Sequence, residues 1–216
     1  MVINAIITAG GTSSRFGKNN KLLEKINGKE VIKYTVEAFD FDKIDKIIIS
    51  ANPSIKSELT EIFKNYDKVV IIEGGKTRQE SVFRGLQHSP ADYVLIHDGA
   101  RPLVTREIIE KCMEKVKSVK AVSVMTKTTD TIKIVEGDRI IQTLDRNKLY
   151  NTQTPQAFEY NLILDAHQKL EGKSLTDDSG MVECLGGEVF VVEGSYKNIK
   201  ITTPNDIDLA KVYMDD

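Results

Sequence analysis

Short, mostly aliphatic runs recur along the chain at 2–8, 46–50, 69–73, 93–97, 121–125 and 189–192. Their brevity and their content of Val and Ile predict β-strands. Between them lie longer stretches in which apolar residues return at helical spacing, at 31–39, 55–65, 79–87, 105–116, 160–170 and 205–214. Strands alternating with amphipathic helices predict stacked βαβ units, an α/β fold with a mainly parallel sheet flanked by helices. No internal repeat, low-complexity tract or Pro/Gly/Ser linker interrupts the pattern, so the expectation is one domain over residues 1–216.

One segment departs from the alternation. From about 129 to 153 the pattern reads as a β-hairpin, 131–135 and 139–143 joined by Glu136-Gly137-Asp138, and then as a polar stretch. A two-stranded ribbon is marginally stable alone in water. It needs a surface to lie against, and a second subunit is the expected one.

Composition narrows the function. The formal net charge is −2, which offers no broad footprint for nucleic acid, so an anionic ligand must be held by local Lys and Arg. No apolar run reaches the roughly 20 residues of a membrane helix, and the start lacks a basic leader, which predicts a soluble cytoplasmic protein with no membrane partner. Cys112 and Cys184 form no metal-binding spacing and are expected to be buried, reduced thiols.

Several segments carry candidate chemistry. The first strand runs into Ala9-Gly10-Gly11-Thr12-Ser13-Ser14-Arg15-Phe16-Gly17-Lys18-Asn19-Asn20-Lys21. Small residues let backbone N–H groups approach phosphate oxygens, and Arg15, Lys18 and Lys21 can neutralise a triphosphate. The glycine spacing fits neither a dinucleotide fingerprint nor a P-loop. A solvated strand-to-helix turn is the alternative for this loop alone. The third strand ends in Glu73-Gly74-Gly75-Lys76-Thr77-Arg78-Gln79-Glu80-Ser81, where Gly74, Gly75 and Ser81 could read a base, or merely form a tight turn. The fourth delivers His97-Asp98-Gly99-Ala100-Arg101-Pro102 to the same sheet edge, where ligands bind in open α/β folds. Asp98 can face a metal or a hydroxyl and Arg101 a phosphate, or the two can form a structural pair. His97 is expected to pack or cap rather than bind metal. Lys200, flanked by Ile199 and Ile201, is expected on spacing alone to reach solvent.

Together these segments resemble the 2-C-methyl-D-erythritol 4-phosphate cytidylyltransferases, from Ala5 to Ala210. The most specific stretches are His-Asp-Gly-Ala-Arg-Pro at 97–102, Gln-Thr-Pro-Gln-Ala-Phe at 153–158 and Asn-Ile-Lys-Ile-Thr-Thr-Pro at 198–204. The resemblance implies a Rossmann-like core and a homodimer with an exchanged β-arm. It implies that Arg15 and Lys21 meet the triphosphate and transition state, and that Ala9, Gly10, Gly11, Gly75 and Ser81, with Asp98, line the cytidine site. Asp98, Arg101, Thr131, Arg146, Thr154 and Lys200 then surround the acceptor, with Thr131 and Arg146 supplied by the partner's arm. Two positions depart from the family pattern. The lysine after Arg15 falls six residues on rather than seven, which leaves Lys18 as a rival to Lys21, and Lys76 stands where an acidic residue is frequent.

The implied reaction is attack by the acceptor's phosphate on the α-phosphorus of CTP, releasing pyrophosphate, with Mg²⁺ carried mainly by the CTP phosphates. A phosphate monoester with a second pKa of about 6 is already ionised at neutral pH, so no general base is needed. A ribitol 5-phosphate cytidylyltransferase is the nearest rival, against which Asp145-Arg146 and Gly99-Ala100 speak. A nucleotide-binding regulator without turnover would be expected to lose Arg15 and Lys200, and a dinucleotide-dependent oxidoreductase lacks its glycine fingerprint here.

Overall fold

The computed structural model describes residues 1–11, 16, 20–173 and 175–215. Arg15 and Lys18, singled out above, lie outside the described residues. The strands of the main sheet are β1 (Ile3–Ala9), β4 (Lys46–Ala51), β5 (Val69–Glu73), β6 (Tyr93–Asp98), β7 (Ala121–Lys127), β10 (Tyr150–Glu159) and β11 (Phe190–Glu193), with a small ribbon, β2 (Lys25–Ile26) and β3 (Lys29–Glu30), beside it. Their order across the sheet is β11-β7-β10-β6-β1-β4-β5. Neighbours are parallel except where β10 runs antiparallel to both β6 and β7. The mainly parallel α/β expectation therefore holds.

Aliphatic residues on both faces of the central strands explain why they are covered on both sides. On β1 the side chains alternate, with Ala5 and Ile7 facing one layer and Ile6 the other. The first layer comprises α1 (Val31–Phe39), α2 (Lys56–Ile62), α4 (Arg106–Val119) and α7 (Asn205–Asp215), which bring Val36, Leu59, Ile109 and Ala210 to the core. The second comprises α3 (Arg78–Gln87), α5 (Tyr160–Lys169) and α6 (Asp178–Cys184), with Val82, Ile163 and Met181. Caps fix several of these helices: Thr77, Thr105 and Asp177 accept from backbone N–H groups of the first turns of α3, α4 and α6. No helix among the described residues is long and apolar enough to cross a membrane.

The segment after the fifth expected strand differs from expectation. A hairpin does form, β8 (Lys133–Glu136) with β9 (Arg139–Thr143), and it is exposed along its whole length. The polar stretch after it is not irregular, however. From Tyr150 it becomes β10, pairing Tyr150 with Lys127 and Gln156 with both Ser123 and Ile96. The arm therefore ends before residue 150 rather than near 153. Pro155, which cannot donate to a ladder, falls inside a register shift between Thr152 and Gln156, which is how a central strand tolerates it. Cys112 is buried as expected, with burial pushing its thiol up to about 12, but Cys184 at the end of α6 is exposed.

Candidate active site

Strand order reverses around β1: the chain builds β4 and β5 on one side before returning to β6 on the other. Ligands of open α/β sheets bind beyond the strand ends at such a switch point. Here the parallel register sets Thr8 beside Asp98, and a cleft of about 390 Å³ opens over them. Gly10, Gly11, Lys21, Lys76, Thr77 and Ser81 line its walls. A second cleft of about 410 Å³ adjoins it, lined by Arg101, Thr152, Thr154 and Asp177 among others. Asp98, Arg78 and Lys200 are common to both.

Asp98 organises the junction. Lys200 Nζ lies 2.8 Å from its Oδ2, Arg78 Nε 3.4 Å from Oδ1 and Arg101 Nε 3.6 Å from Oδ2. Burial disfavours its charge, yet Arg78, Lys200 and Arg101 together hold the carboxyl far below the usual carboxylate range. Lys21, Lys76, Arg78 and Lys200 against Asp98 leave a positive surplus in the first cleft, whereas in the second Arg78, Arg101 and Lys200 are matched by Asp98, Asp177 and Glu183. A surplus of this kind draws an anionic ligand to the first cleft.

The backbone behind Asp98 is fixed by a chain of hydrogen bonds. The Asp98 N–H donates to Thr154 Oγ1 at 3.1 Å, and Thr154 Oγ1 lies 3.0 Å from His97 Nδ1. His97 Nε2 in turn lies 3.2 Å from the Arg101 carbonyl oxygen, an acceptor, so the proton belongs on Nε2 and Nδ1 accepts from the threonine. Burial pushes His97 down to about 4, and its ring packs 5.0 Å from that of Phe39. The expectation that His97 packs is correct. It also locks the loop carrying Asp98 and Arg101.

Lys200 reaches Asp98 because the segment before it is pinned. Asn198 Nδ2 donates to the Thr154 carbonyl at 2.9 Å, Arg101 Nη1 donates to the Asn198 carbonyl at 2.8 Å, and Ile201 N–H donates to the Ala100 carbonyl at 2.8 Å. No strand forms at residues 198–202, and Lys200, exposed as expected, also places its ammonium in the ion cluster.

In the first cleft, the hydroxyl of Ser81 is committed within the chain. It donates to the Thr77 carbonyl at 2.8 Å and accepts from the Gly75 N–H at 3.0 Å, shaping the 74–77 turn. A Cβ at Gly10 would stand 2.9 Å from Ser81 Oγ, so glycine there lets the two loops close on each other. Ala9 and Gly75 adjoin the lining rather than forming it. Thr131 and Arg146 line neither cleft of their own chain; Arg146 Nη1 donates instead to the Thr129 carbonyl at 3.0 Å within the arm.

Sequence reasoning did not single out Arg78, which lines both clefts, or Gln156, which lines the second, or Asn198 and Asp178, which line neither but brace Thr154 and Arg78. Arg78 alone had a local signal, a cation in the first turn of a helix that follows a glycine-rich loop at the switch edge.

The profile of the 2-C-methyl-D-erythritol 4-phosphate cytidylyltransferase family (IspD) matches residues 3–216. The enzyme of that name from Clostridium beijerinckii is 40% identical over 222 residues, covering 99% of this chain and 98% of the relative. The Caldanaerobacter subterraneus enzyme is 42% identical over 225 residues, covering 99% of each. Among solved structures, 4-diphosphocytidyl-2C-methyl-D-erythritol synthase from Anaerococcus prevotii superimposes with a TM-score of 0.89 at 33% identity, over 100% of this chain and 96% of that one. The Thermus thermophilus cytidylyltransferase gives 0.85 at 28% identity over 100% of both. With the family profile matching residues 3–216 and relatives 40% and 42% identical over 99% of its length, the chain belongs to the 2-C-methyl-D-erythritol 4-phosphate cytidylyltransferase family.

Proposed function

We propose that this chain transfers CMP from CTP to 2-C-methyl-D-erythritol 4-phosphate, releasing pyrophosphate, as one nucleotidyltransferase domain working in the cytoplasm as a homodimer. The observation that carries the reading is the meeting of two clefts at Asp98, with Arg78, Arg101 and Lys200 around it. CTP occupies the cleft of Gly10, Gly11 and Ser81, with Ala9 and Gly75 behind them, and Arg15 and Lys21 hold the triphosphate. The acceptor occupies the cleft of Arg101, Thr154 and Lys200. Its phosphate oxygen, ionised at neutral pH, attacks the α-phosphorus, and the cations stabilise charge that builds on the α-phosphate and the leaving pyrophosphate. His97 is neutral with both ring nitrogens engaged, which suits a reaction that moves no proton through a side-chain base.

The donor set fits magnesium brought by the nucleotide. Among the described residues no cluster of three or more acidic or thiol and imidazole groups exists, and Asp98 is the carboxylate lining the nucleotide cleft. Mg²⁺ takes one or two carboxylates plus substrate phosphates, so the triphosphate would carry it, and Asp98, already paired with Lys200, Arg78 and Arg101, would add at most one oxygen. When bound, it neutralises triphosphate charge and orients the phosphates.

The arm supports the dimer. Val135 and Ile140 face each other across the hairpin and are 52% and 60% exposed, and Thr131 and Arg146 stand apart from their own clefts. Docked on a second copy, the arm buries these aliphatics and brings Thr131 and Arg146 to the partner's acceptor cleft. Purified protein incubated with CTP and Mg²⁺ is expected to release pyrophosphate with methylerythritol phosphate. Faster release with ribitol 5-phosphate would overturn the acceptor assignment.

A further inference from the structure

Arg78 enters the reading above only as one of the cations around Asp98, yet it opens α3 at the wall shared by both clefts. Its two ion pairs are unequal. Nη2 lies 2.7 Å from Asp178 Oδ2, whereas Nε lies 3.4 Å from Asp98 Oδ1. Asp98 has a nearer cation in Lys200, at 2.8 Å. The contact to Asp178 is a close, buried ion pair outside hydrogen-bond geometry, so charge rather than a directed bond anchors the guanidinium there, whereas the hydrogen bond to Asp98 is long and open to replacement by an incoming phosphate.

Asp178 is built to be that anchor. It is 1% exposed at the start of α6, its N–H donates to Gln156 Oε1 at 3.0 Å, and its Oδ1 lies 3.2 Å from His167 Nε2. Gln156 Nε2 donates to Asp177 Oδ2 at 2.7 Å and to Ser123 Oγ at 2.9 Å. The first turn of α6 is thus fastened to the sheet through β10, and Arg78 is fastened to α6. Burial opposes the charge on Asp178, but Arg78 and His167 hold its carboxyl below the usual range.

We propose that Arg78 is a further substrate-contacting residue of the transfer, its guanidinium passing from Asp98 to the α-phosphate of the nucleotide, with Asp178 the positioning residue that holds it there. The proposal rests on the CMP-transfer reading. The α-phosphate is favoured over the acceptor's phosphate because Arg78 continues the Lys76-Thr77 wall of the nucleotide cleft. The α-phosphorus must also sit where the clefts meet, within reach of the attacking oxygen. A guanidinium offers two donors to the phosphate oxygens on which charge develops.

Binding of CMP and of cytidine to the full-length protein, measured by calorimetry, isolates the phosphate contact as a ratio of affinities. In Arg78→Gln the CMP-to-cytidine ratio is expected to fall about tenfold, the size of one lost charge-assisted hydrogen bond. Arg78→Lys keeps the charge without the fork and is expected to lose about threefold on the same scale, and it carries the test if Arg78→Gln does not fold. Asp178→Asn is expected to lower the ratio although residue 178 touches no substrate. Cytidine affinity stays at the wild-type value in all three, which a deformed pocket would not allow. An unchanged ratio in the Arg78 variants overturns the phosphate contact, and an unchanged ratio in Asp178→Asn overturns the anchor. Wild-type turnover with methylerythritol phosphate tests the underlying reading separately, because these two ligands do not involve the acceptor. Failure of the wild type to bind CMP overturns both.

Discussion

His97 shows how a single side chain couples the site to stability. Burial lowers it from 6.5 to about 4, so between those values the unfolded chain binds a proton that the folded chain does not. Unfolding free energy therefore rises with pH through that window, and the part due to His97, about 3 kcal/mol, is fully present above it and lost as pH falls to its lower end. Asp98, held below the ordinary carboxylate value, contributes above about pH 4 and is lost only below it, so the two effects occupy separate windows. Urea unfolding from pH 4 to 7.5 is expected to show the slope in wild type and a flatter one in His97→Gln, whose carboxamide can still accept from Thr154 and donate to Arg101. An equal slope in the variant assigns the titration to another group. At this scale, Asp98 and Arg101 were legible because they close an apolar strand in a loop that must face the switch crevice. Lys200 is exposed, as spacing suggests, but its ion pair with Asp98 was not legible, since the segment before it is placed by Asn198 bonding to Thr154, a contact between residues 44 apart.

Among the elements, those with strong periodicity were legible in the sequence, and α1, α3 and β5 fall within a residue or two of expectation. β10 was not, because Pro155 and the polar Gln153, Thr154 and Gln156 argue against a central strand. Those polar side chains are buried but spend their hydrogen bonds on the loops and on α6, as Gln153 does with the Ser195 carbonyl at 2.8 Å. The short α6 has no long apolar repeat, and its start is fixed by Asp177 and Gln156 rather than by pattern. The arm was legible as a hairpin, and its exposed aliphatics give an element-scale prediction. Val135→Lys with Ile140→Glu replaces a cross-strand apolar pair by opposite charges, which leaves the hairpin supported while removing what it offers a partner. Burying each aliphatic side chain is worth about 1.5–3 kcal/mol, so dimer affinity is expected to fall at least about tenfold. Sedimentation velocity across a dilution series measures it. A dimer unchanged at the lowest concentration would show that the arm does not form the interface.

For the whole molecule, the proposed exchange of the arm would make each active site a joint product of two chains, with Arg15 from one and Arg146 from the other. A homodimer of Arg15→Ala then has two broken sites, and so does a homodimer of Arg146→Ala. Mixing the two in equal amounts with free exchange makes about half of all dimers heterodimers. In each heterodimer one site receives both substitutions and the other receives neither, because a two-fold axis applies the same exchange to both chains. Activity is therefore expected to recover to about a quarter of wild type, provided the sites act independently. If Arg15 and Arg146 served the same chain's site, every site in the mixture would still carry one substitution and no recovery would follow. Exchange is established first with a mass-tagged chain, so that absent recovery has one meaning. Recovery near a quarter locates Arg146 across the interface, and activity held at the level of the separate variants, with exchange demonstrated, returns it to its own chain.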